Sequence, residues 1–161
     1  MKATTLLKKD HGAVKKLFRE YQQTGERAFK TRLRLFERMK KELDVHAKIE
    51  EEIFYPAVKA ARTGPAVELV DEALEEHARV KELLAEISAL RPEDEQFDAK
   101  VSEVIEDVKH HAQEEEDEMF PEAEKNLSSE ELERLGGELE ERKSALSRPR
   151  GRRSPSLRAR A

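Results

Sequence analysis

The sequence contains no cysteine. This absence excludes disulfides, thiolate metal sites, iron–sulfur clusters and cysteine nucleophiles. Any metal ion would have to be held by nitrogen and oxygen atoms of histidine and carboxylate side chains. The sequence also has no catalytic triad, phosphate-binding loop or dinucleotide-binding fingerprint, so hydrolase, kinase and dehydrogenase functions have no support.

Long apolar runs are missing as well. No stretch of about 18 apolar residues occurs, and the first residues, MKATTLLKKD, are interrupted by charge. We therefore expect neither a membrane span nor a signal peptide, and a cytoplasmic protein.

Tryptophan is absent, glycine and proline occur only six times each, and charged residues make up 42% of the 161 residues. This composition favours long solvent-exposed helices over sheet. The length suits one domain and leaves no room for a second catalytic one. We expect an all-α protein.

Charge is unevenly distributed along the chain. The net charge is −5, yet residues 148–161 contain six arginines and no acidic residue. The rest of the chain is therefore more acidic than the whole, which argues against specific binding of nucleic acid. The basic tail could still make weak, salt-sensitive contacts with phosphates or anionic lipid. Because this tail has almost no apolar content, we expect residues 148–161 to be disordered.

Four segments carry apolar residues at alternating spacings of three and four, which is typical of helices in a bundle. Breaks at Gly25, 62–65 and 91–92 separate them. The pattern predicts an up-down-up-down four-helix bundle over residues 1–127. A capping box formed by Ser128 and Glu131 predicts a short accessory helix over 128–147.

Each apolar stripe includes one histidine, and two of these histidines are followed four residues later by a glutamate in the same phase. Residues 11–17 and 77–83 share the pattern H-x-x-V-K-x-L, and residues 46–56 resemble residues 111–121. This internal repeat predicts two similar helical hairpins that face each other. The polar residues should then meet in one layer: His11, His46, Glu50, His77, His111 and Glu115.

Four imidazoles and two carboxylates suit iron, manganese or zinc. A single inward histidine is usually structural, and glutamate-rich runs are usually solvated faces. Six polar groups buried in one layer, however, would cost several kcal/mol unless a metal or paired charge satisfied them. The predicted division places His11 and His46 on one metal and His77 and His111 on the other, with Glu50 and Glu115 bridging.

Other polar residues nearby fall outside the stripes. We expect these to lie at the surface or to touch a ligand from outside: His110, Glu51, Glu52, Glu114 and Glu116. Tyr21 lies on a stripe far from His11 and is expected in the core. The hydrophobic wall of the site is expected to include Ile53, Phe54, Met119 and Phe120.

These features resemble the hemerythrin-like, or HHE cation-binding, family over residues 4–125. The resemblance rests on the early His11, the lone His77 and two H-x3-E segments, each followed by phenylalanine and proline. It implies a bundle with two iron ions bridged by an oxo or hydroxo group and by two carboxylates. Such a centre would react with dioxygen or its relatives.

The sequence departs from oxygen-carrying members of that family at two places. Their third helix has two metal-binding histidines, whereas Ala73 and Lys81 flank His77 here, and their last carboxylate is an aspartate five residues after histidine rather than Glu115 four after. One metal would therefore lack a nitrogen ligand. Open positions on the metals favour redox chemistry or sensing over reversible oxygen carriage.

Three functions remain open at this point. The first is a diiron protein that binds or reacts with dioxygen, hydrogen peroxide or nitric oxide, with catalase- or peroxidase-like turnover as its enzymatic form. The second is a non-enzymatic sensor or regulator of oxygen, iron or redox state. The third is a structural or zinc-stabilised bundle.

Overall fold

The computed structural model of the protein describes residues 1–61 and 64–148. These ranges contain seven α-helices: α1 Ala3–Gln22, α2 Phe29–Ile49, α3 Tyr55–Ala60, α4 Ala66–Ser88, α5 Glu95–Glu114, α6 Phe120–Asn126 and α7 Ser129–Ser147. Within them, no helix combines the length and apolar character needed to cross a bilayer. The expected disordered tail lies outside the described residues from 149 onward, as do 62 and 63 of the second predicted break.

Two π-helical turns join these helices into longer ones. Glu50–Phe54 connects α2 to α3, and Glu115–Met119 connects α5 to α6. Each turn is followed by a proline, Pro56 or Pro121, at the second residue of the next helix. Because proline has no N–H and its ring crowds the carbonyl four residues back, a locally wider helix relieves the conflict. The helix therefore continues through each proline.

α1, α2–α3, α4 and α5–α6 form the predicted up-down-up-down four-helix bundle, which confirms the expected all-α fold. Asp94 caps α5 by accepting a hydrogen bond from the Gln96 N–H at 2.8 Å. The predicted capping box at the start of α7 is also present, with contacts of 3.1 and 3.3 Å between Ser128 and Glu131.

The core consists of two apolar clusters at different depths in the bundle. One contains Leu7, Phe54 and Phe120 together with three leucines of α7, and the other contains Phe18 and Phe97. The buried histidines and glutamates belong to neither cluster.

α7 packs closely against the start of the chain. A Cβ at Gly136 would lie 1.9 Å from the carbonyl oxygen of Met1, so only glycine permits this approach. Leu132, Leu135 and Leu139 extend one apolar cluster of the bundle. The C-terminal helix is therefore built into the core.

Candidate metal centre

All six side chains singled out from the sequence lie together in the middle of the bundle. Each of the four long helices supplies one histidine, and the first residue of each π turn supplies a glutamate. Every one of these residues is buried: His11, His46, Glu50, His77, His111 and Glu115. The repeat thus brings the six residues together as expected.

Each glutamate lies between two imidazoles. Glu50 Oε1 is 3.3 Å from His46 Nε2 and 3.2 Å from His77 Nε2. Glu115 Oε1 is 3.0 Å from His11 Nε2 and 3.5 Å from His111 Nε2. Two ligand atoms about 2.1 Å from one metal ion and at right angles would be roughly 3 Å apart, so these spacings suit a shared cation.

The inward atoms form two groups, each within 4.8 Å. One group contains His11, His46, Glu50 and Glu115, and the other contains Glu50, His77 and His111. The histidines pair as expected from the sequence. Of the two glutamates expected to bridge, Glu50 is common to both groups, whereas Glu115 belongs only to the first.

Two polar atoms in the layer have no hydrogen-bond partner among the described residues. They are His46 Nε2, which is near Glu50 but poorly aligned with it, and Glu50 Oε2. Leaving a buried polar atom unpaired costs about 1–3 kcal/mol. A cation would satisfy both atoms, so the residues present fit a metal.

The outer nitrogen of every histidine meets a carboxylate. The Nδ1–H groups donate to four acidic side chains: His11 to Glu116 at 2.7 Å, His46 to Asp10 at 2.9 Å, His77 to Glu51 at 2.7 Å and His111 to Glu76 at 2.7 Å. With Nδ1–H held in this way, Nε2 is the nitrogen directed into the layer, and it is the atom that could bind a metal. Carboxylates in this position orient metal-binding histidines and make them more basic.

These outer contacts follow the internal repeat. Glu51 and Glu116 each follow the glutamate of their own π turn, whereas Asp10 and Glu76 each precede the histidine of α1 or α4. Sequence analysis assigned Glu51 and Glu116 to the surface or to contacts outside the ligands, and the structure places both against the imidazoles. It missed Asp10 and Glu76, although their position before His11 and His77 repeats between the two halves.

The charges of the layer shift several pKa values. Burial alone would lower the pKa of His111, but Glu115, Glu76 and Glu50 raise it to about 9. Burial likewise opposes protonation of His46, yet Glu50 and Asp10 raise its pKa well above the usual range. Without metal, protonated His46 and His111 therefore offset the negative charge of the glutamates, and a cation must displace the protons on their Nε2 atoms to bind.

Tyr55 is the residue in this layer that sequence analysis missed. Its hydroxyl donates to Glu115 Oε2 at 2.6 Å and also lies 3.1 Å from both Glu50 Oε1 and His77 Nε2. Burial, followed by the charges of Glu115 and Glu50, raises the pKa of this hydroxyl well above its ordinary value. An oxygen atom thus lies beside His77, where the sequence predicted a missing ligand.

The π turn explains how Tyr55 reaches the site. In a π turn the hydrogen bond spans five residues, and the Tyr55 N–H donates to the Glu50 carbonyl, so Tyr55 follows Glu50 on the same face. Phe120 occupies the matching position after Glu115 and stacks on His11 with ring centres 5.8 Å apart. The matching positions before the two prolines could have identified Tyr55 as the polar member of the pair.

Other residues named in advance take peripheral positions. His110 is exposed and pairs with Glu114, while Glu52 pairs with Arg142 on α7. Tyr21 is buried in the core and donates to Asp98 at 3.1 Å. The residues expected to form the hydrophobic wall pack in the apolar cluster that contains Tyr55: Ile53, Phe54, Met119 and Phe120.

A cavity of about 50 Å³ adjoins the four histidines. Much of its remaining lining is apolar and comes from all four long helices: Val14, Leu43, Ala47, Val80, Leu84, Val108 and Ala112. Because a water molecule needs about 10–15 Å³ of such cavity volume, this cavity holds a few waters or another molecule of a few atoms.

Comparison with known proteins agrees with this architecture. The hemerythrin HHE cation-binding domain family matches residues 2–123. A crystal structure of an HHE cation-binding domain-containing protein from Mycobacterium kansasii superposes with a TM-score of 0.78 at 27% identity, covering 91% of this chain and 87% of that one.

A curated relative from Nostoc sp., named DNA nickase, is 32% identical over 152 residues. The match covers 94% of this chain but only 42% of the length of that relative. The helical fold, the buried histidine–glutamate layer and the family match agree: this chain belongs to the hemerythrin HHE cation-binding domain family.

Proposed function

We propose that the chain binds two iron ions in the buried layer and uses them to bind or react with dioxygen, hydrogen peroxide or nitric oxide. The proposed ligands are the six residues identified from the sequence: His11, His46, Glu50, His77, His111 and Glu115. Tyr55 supplies a further oxygen beside His77. Manganese or zinc also suits this set of nitrogen and oxygen donors.

The main support for the proposal is that four buried imidazoles are all oriented in the same way. Each Nδ1–H donates to a carboxylate, and each Nε2 faces the same layer as Glu50 and Glu115. A purely structural layer would not require four histidines with Nδ1 on an outer carboxylate and Nε2 inward, or leave His46 Nε2 without a partner. This arrangement favours a metal-binding function over a structural bundle.

The size of the neighbouring cavity supports a substrate of a few atoms. Its volume is about 50 Å³, and the histidines beside it are almost inaccessible to solvent. A nucleic-acid backbone could not reach the buried layer without opening the bundle. Molecules of only a few atoms are therefore the preferred substrates, and bound iron would supply the redox and Lewis-acid chemistry to activate them.

The chain's own residues would control protons in such a reaction. The Tyr55 hydroxyl stays protonated through the neutral range because its pKa is raised well above the usual value. It lies within hydrogen-bond distance of both central glutamates. Tyr55 can therefore hold a proton inside an otherwise water-poor layer and share it with Glu115.

Anaerobic reconstitution with iron(II), followed by separate exposure to oxygen, peroxide and nitric oxide, tests this function. We expect iron-dependent optical changes with at least one of the three, and loss of these changes in His46→Ala and Glu115→Ala. Oxygen evolution from peroxide would identify turnover. Iron binding without any response to the three molecules would overturn the proposal.

A sensor built on the same site is the second candidate. It is favoured by α7, which packs on the bundle and contacts the site through Lys143 and Asp10. Full iron occupancy with reversible binding, no turnover and altered protease sensitivity of α7 would support this function. Turnover of peroxide with α7 unaffected would exclude it.

A further inference from the structure

Asp10 differs from the other three carboxylates that contact the histidines. Its side chain is only 6% exposed, whereas Glu116, Glu51 and Glu76 are 28%, 32% and 17% exposed. One oxygen, Oδ2, accepts the hydrogen bond from His46 Nδ1. The other, Oδ1, accepts from the ammonium group of Lys143 on α7. The two oxygens of this buried carboxylate thus accept from side chains of two different helices, α2 and α7.

The other half of the bundle lacks this cation. Glu76 is the counterpart of Asp10, since each precedes the histidine of its hairpin and accepts from the histidine of the next helix. In the described part of the chain, no lysine or arginine forms an ion pair with Glu76. α7 packs mainly against α1, α2 and the first π turn, and its Lys143 makes the two halves electrostatically unequal.

The contact has a physical reason. A carboxylate removed from water is costly unless hydrogen bonds and an opposite charge compensate it. Asp10 has both kinds of compensation, because it accepts a hydrogen bond from His46 and lies against the ammonium group of Lys143. Lys143 supplies the opposite charge, and its contact with Oδ1 fixes the rotation of the Asp10 carboxyl group, which in turn fixes the direction of the His46 Nδ1–H bond.

We propose that Lys143 is a positioning residue of the metal site, which orients the His46 imidazole through Asp10 and thereby strengthens cation binding at the His11–His46 side. The inference rests on the proposed metal-binding function. Through Lys143, α7 would then contribute to metal binding although it lies beyond the residues matched by the family.

The test compares two substitutions on the same helix. Lys143→Met removes the ammonium group from Asp10. Arg142→Met removes an equal charge and breaks the bridge to Glu52 at 2.8 Å, which involves no proposed ligand. Both variants and the parent chain are titrated with cobalt(II) under argon, with visible absorption reporting the number and geometry of bound ions.

We expect Lys143→Met to bind one of its two cobalt ions about tenfold more weakly, at the low end of the range for residues that support metal ligands. Arg142→Met should match the parent chain at both sites. Lys143→Arg, which restores a cation, should recover most of the lost affinity. In an Asp10→Asn background, removal of Lys143 should cause no further loss because the connection is already broken.

Equal binding by Lys143→Met and Arg142→Met would overturn the inference, as would failure of Lys143→Arg to recover affinity while it remains folded by circular dichroism. A parent chain that binds no cobalt would instead refute the proposed metal site itself. The two failures are therefore distinguishable.

Discussion

Replacing Tyr55 by phenylalanine makes the two halves of the bundle alike, because Phe120 already occupies the matching position. The change removes one buried hydroxyl and leaves the ring in place. In the metal-free protein, that hydroxyl donates to Glu115 Oε2 at 2.6 Å, and Glu115 is almost completely buried. The substitution therefore removes a hydrogen bond from a buried acid that water cannot replace.

The expected cost follows from this geometry. A hydrogen bond to a charged group contributes about 1.5–3 kcal/mol. For a domain of this size, each kcal/mol shifts the melting temperature by about 2–4 °C. Tyr55→Phe should therefore lower the melting temperature of the metal-free protein by roughly 3–12 °C.

Tyr21→Phe is the matched control, since it makes the same chemical change at another buried ring. The Tyr21 hydroxyl donates at 3.1 Å to Asp98, whose side chain is 51% exposed, so water can replace the lost contact. Calorimetry of both metal-free variants compares the two hydroxyls directly. If Tyr55→Phe were no less stable than Tyr21→Phe, the assigned role of Tyr55 in the layer would be refuted.

Three further predictions concern the cavity, the histidine charges and α7. Val108→Phe should fill the cavity and slow reaction with peroxide at least several-fold while retaining iron, as measured by stopped-flow absorption and metal analysis. An unchanged rate would refute the proposal that the substrate occupies this cavity. Because the pKa of His111 is raised from 6.5 to about 9 in the metal-free fold, its contribution to stability is complete below pH 6.5 and is lost as the pH rises through 9. The free energy of unfolding in urea should therefore fall for the metal-free form over that pH range. It should fall less for the metal-loaded form, whose imidazoles are neutral, and parallel plots of this free energy against pH would contradict the reasoning. Gly136→Ala should destabilise the protein by more than about 1 kcal/mol because the new Cβ would clash with the Met1 carbonyl. Gly137→Ala, whose Cβ would contact nothing, should stabilise it by up to about 1 kcal/mol. Equal melting temperatures of the two variants would refute the assigned packing of α7.

The bundle and the meeting of its polar residues could be predicted from the sequence because they depend on local periodicity. A histidine spaced three or four residues from apolar neighbours must share their face of a helix. Because that pattern repeats in the second hairpin, it places the polar residues of both hairpins in one layer, and this prediction needs no knowledge of loop geometry. The all-α fold and family follow from the same pattern.

The remaining features depend on contacts that periodicity does not encode. A regular helix through residue 54 would turn Tyr55 away from Glu50, and the π turn before Pro56 changes its direction. Lys143 reaches Asp10 only because Gly136 lets α7 approach the first residues of the chain. The first depends on a local change of helix type and the second on how separate segments fit together, so neither could be derived from the spacing of the histidines.

The most direct test of the account is the number of iron ions bound per chain. Anaerobic titration with iron(II), followed by desalting and metal analysis, should give two ions for the parent chain and fewer for Glu50→Ala, which removes the carboxylate common to both groups of candidate ligands. Circular dichroism should show that the variant remains helical. Fewer than two ions in the parent chain, or two ions in a folded Glu50→Ala protein, would contradict the proposed centre.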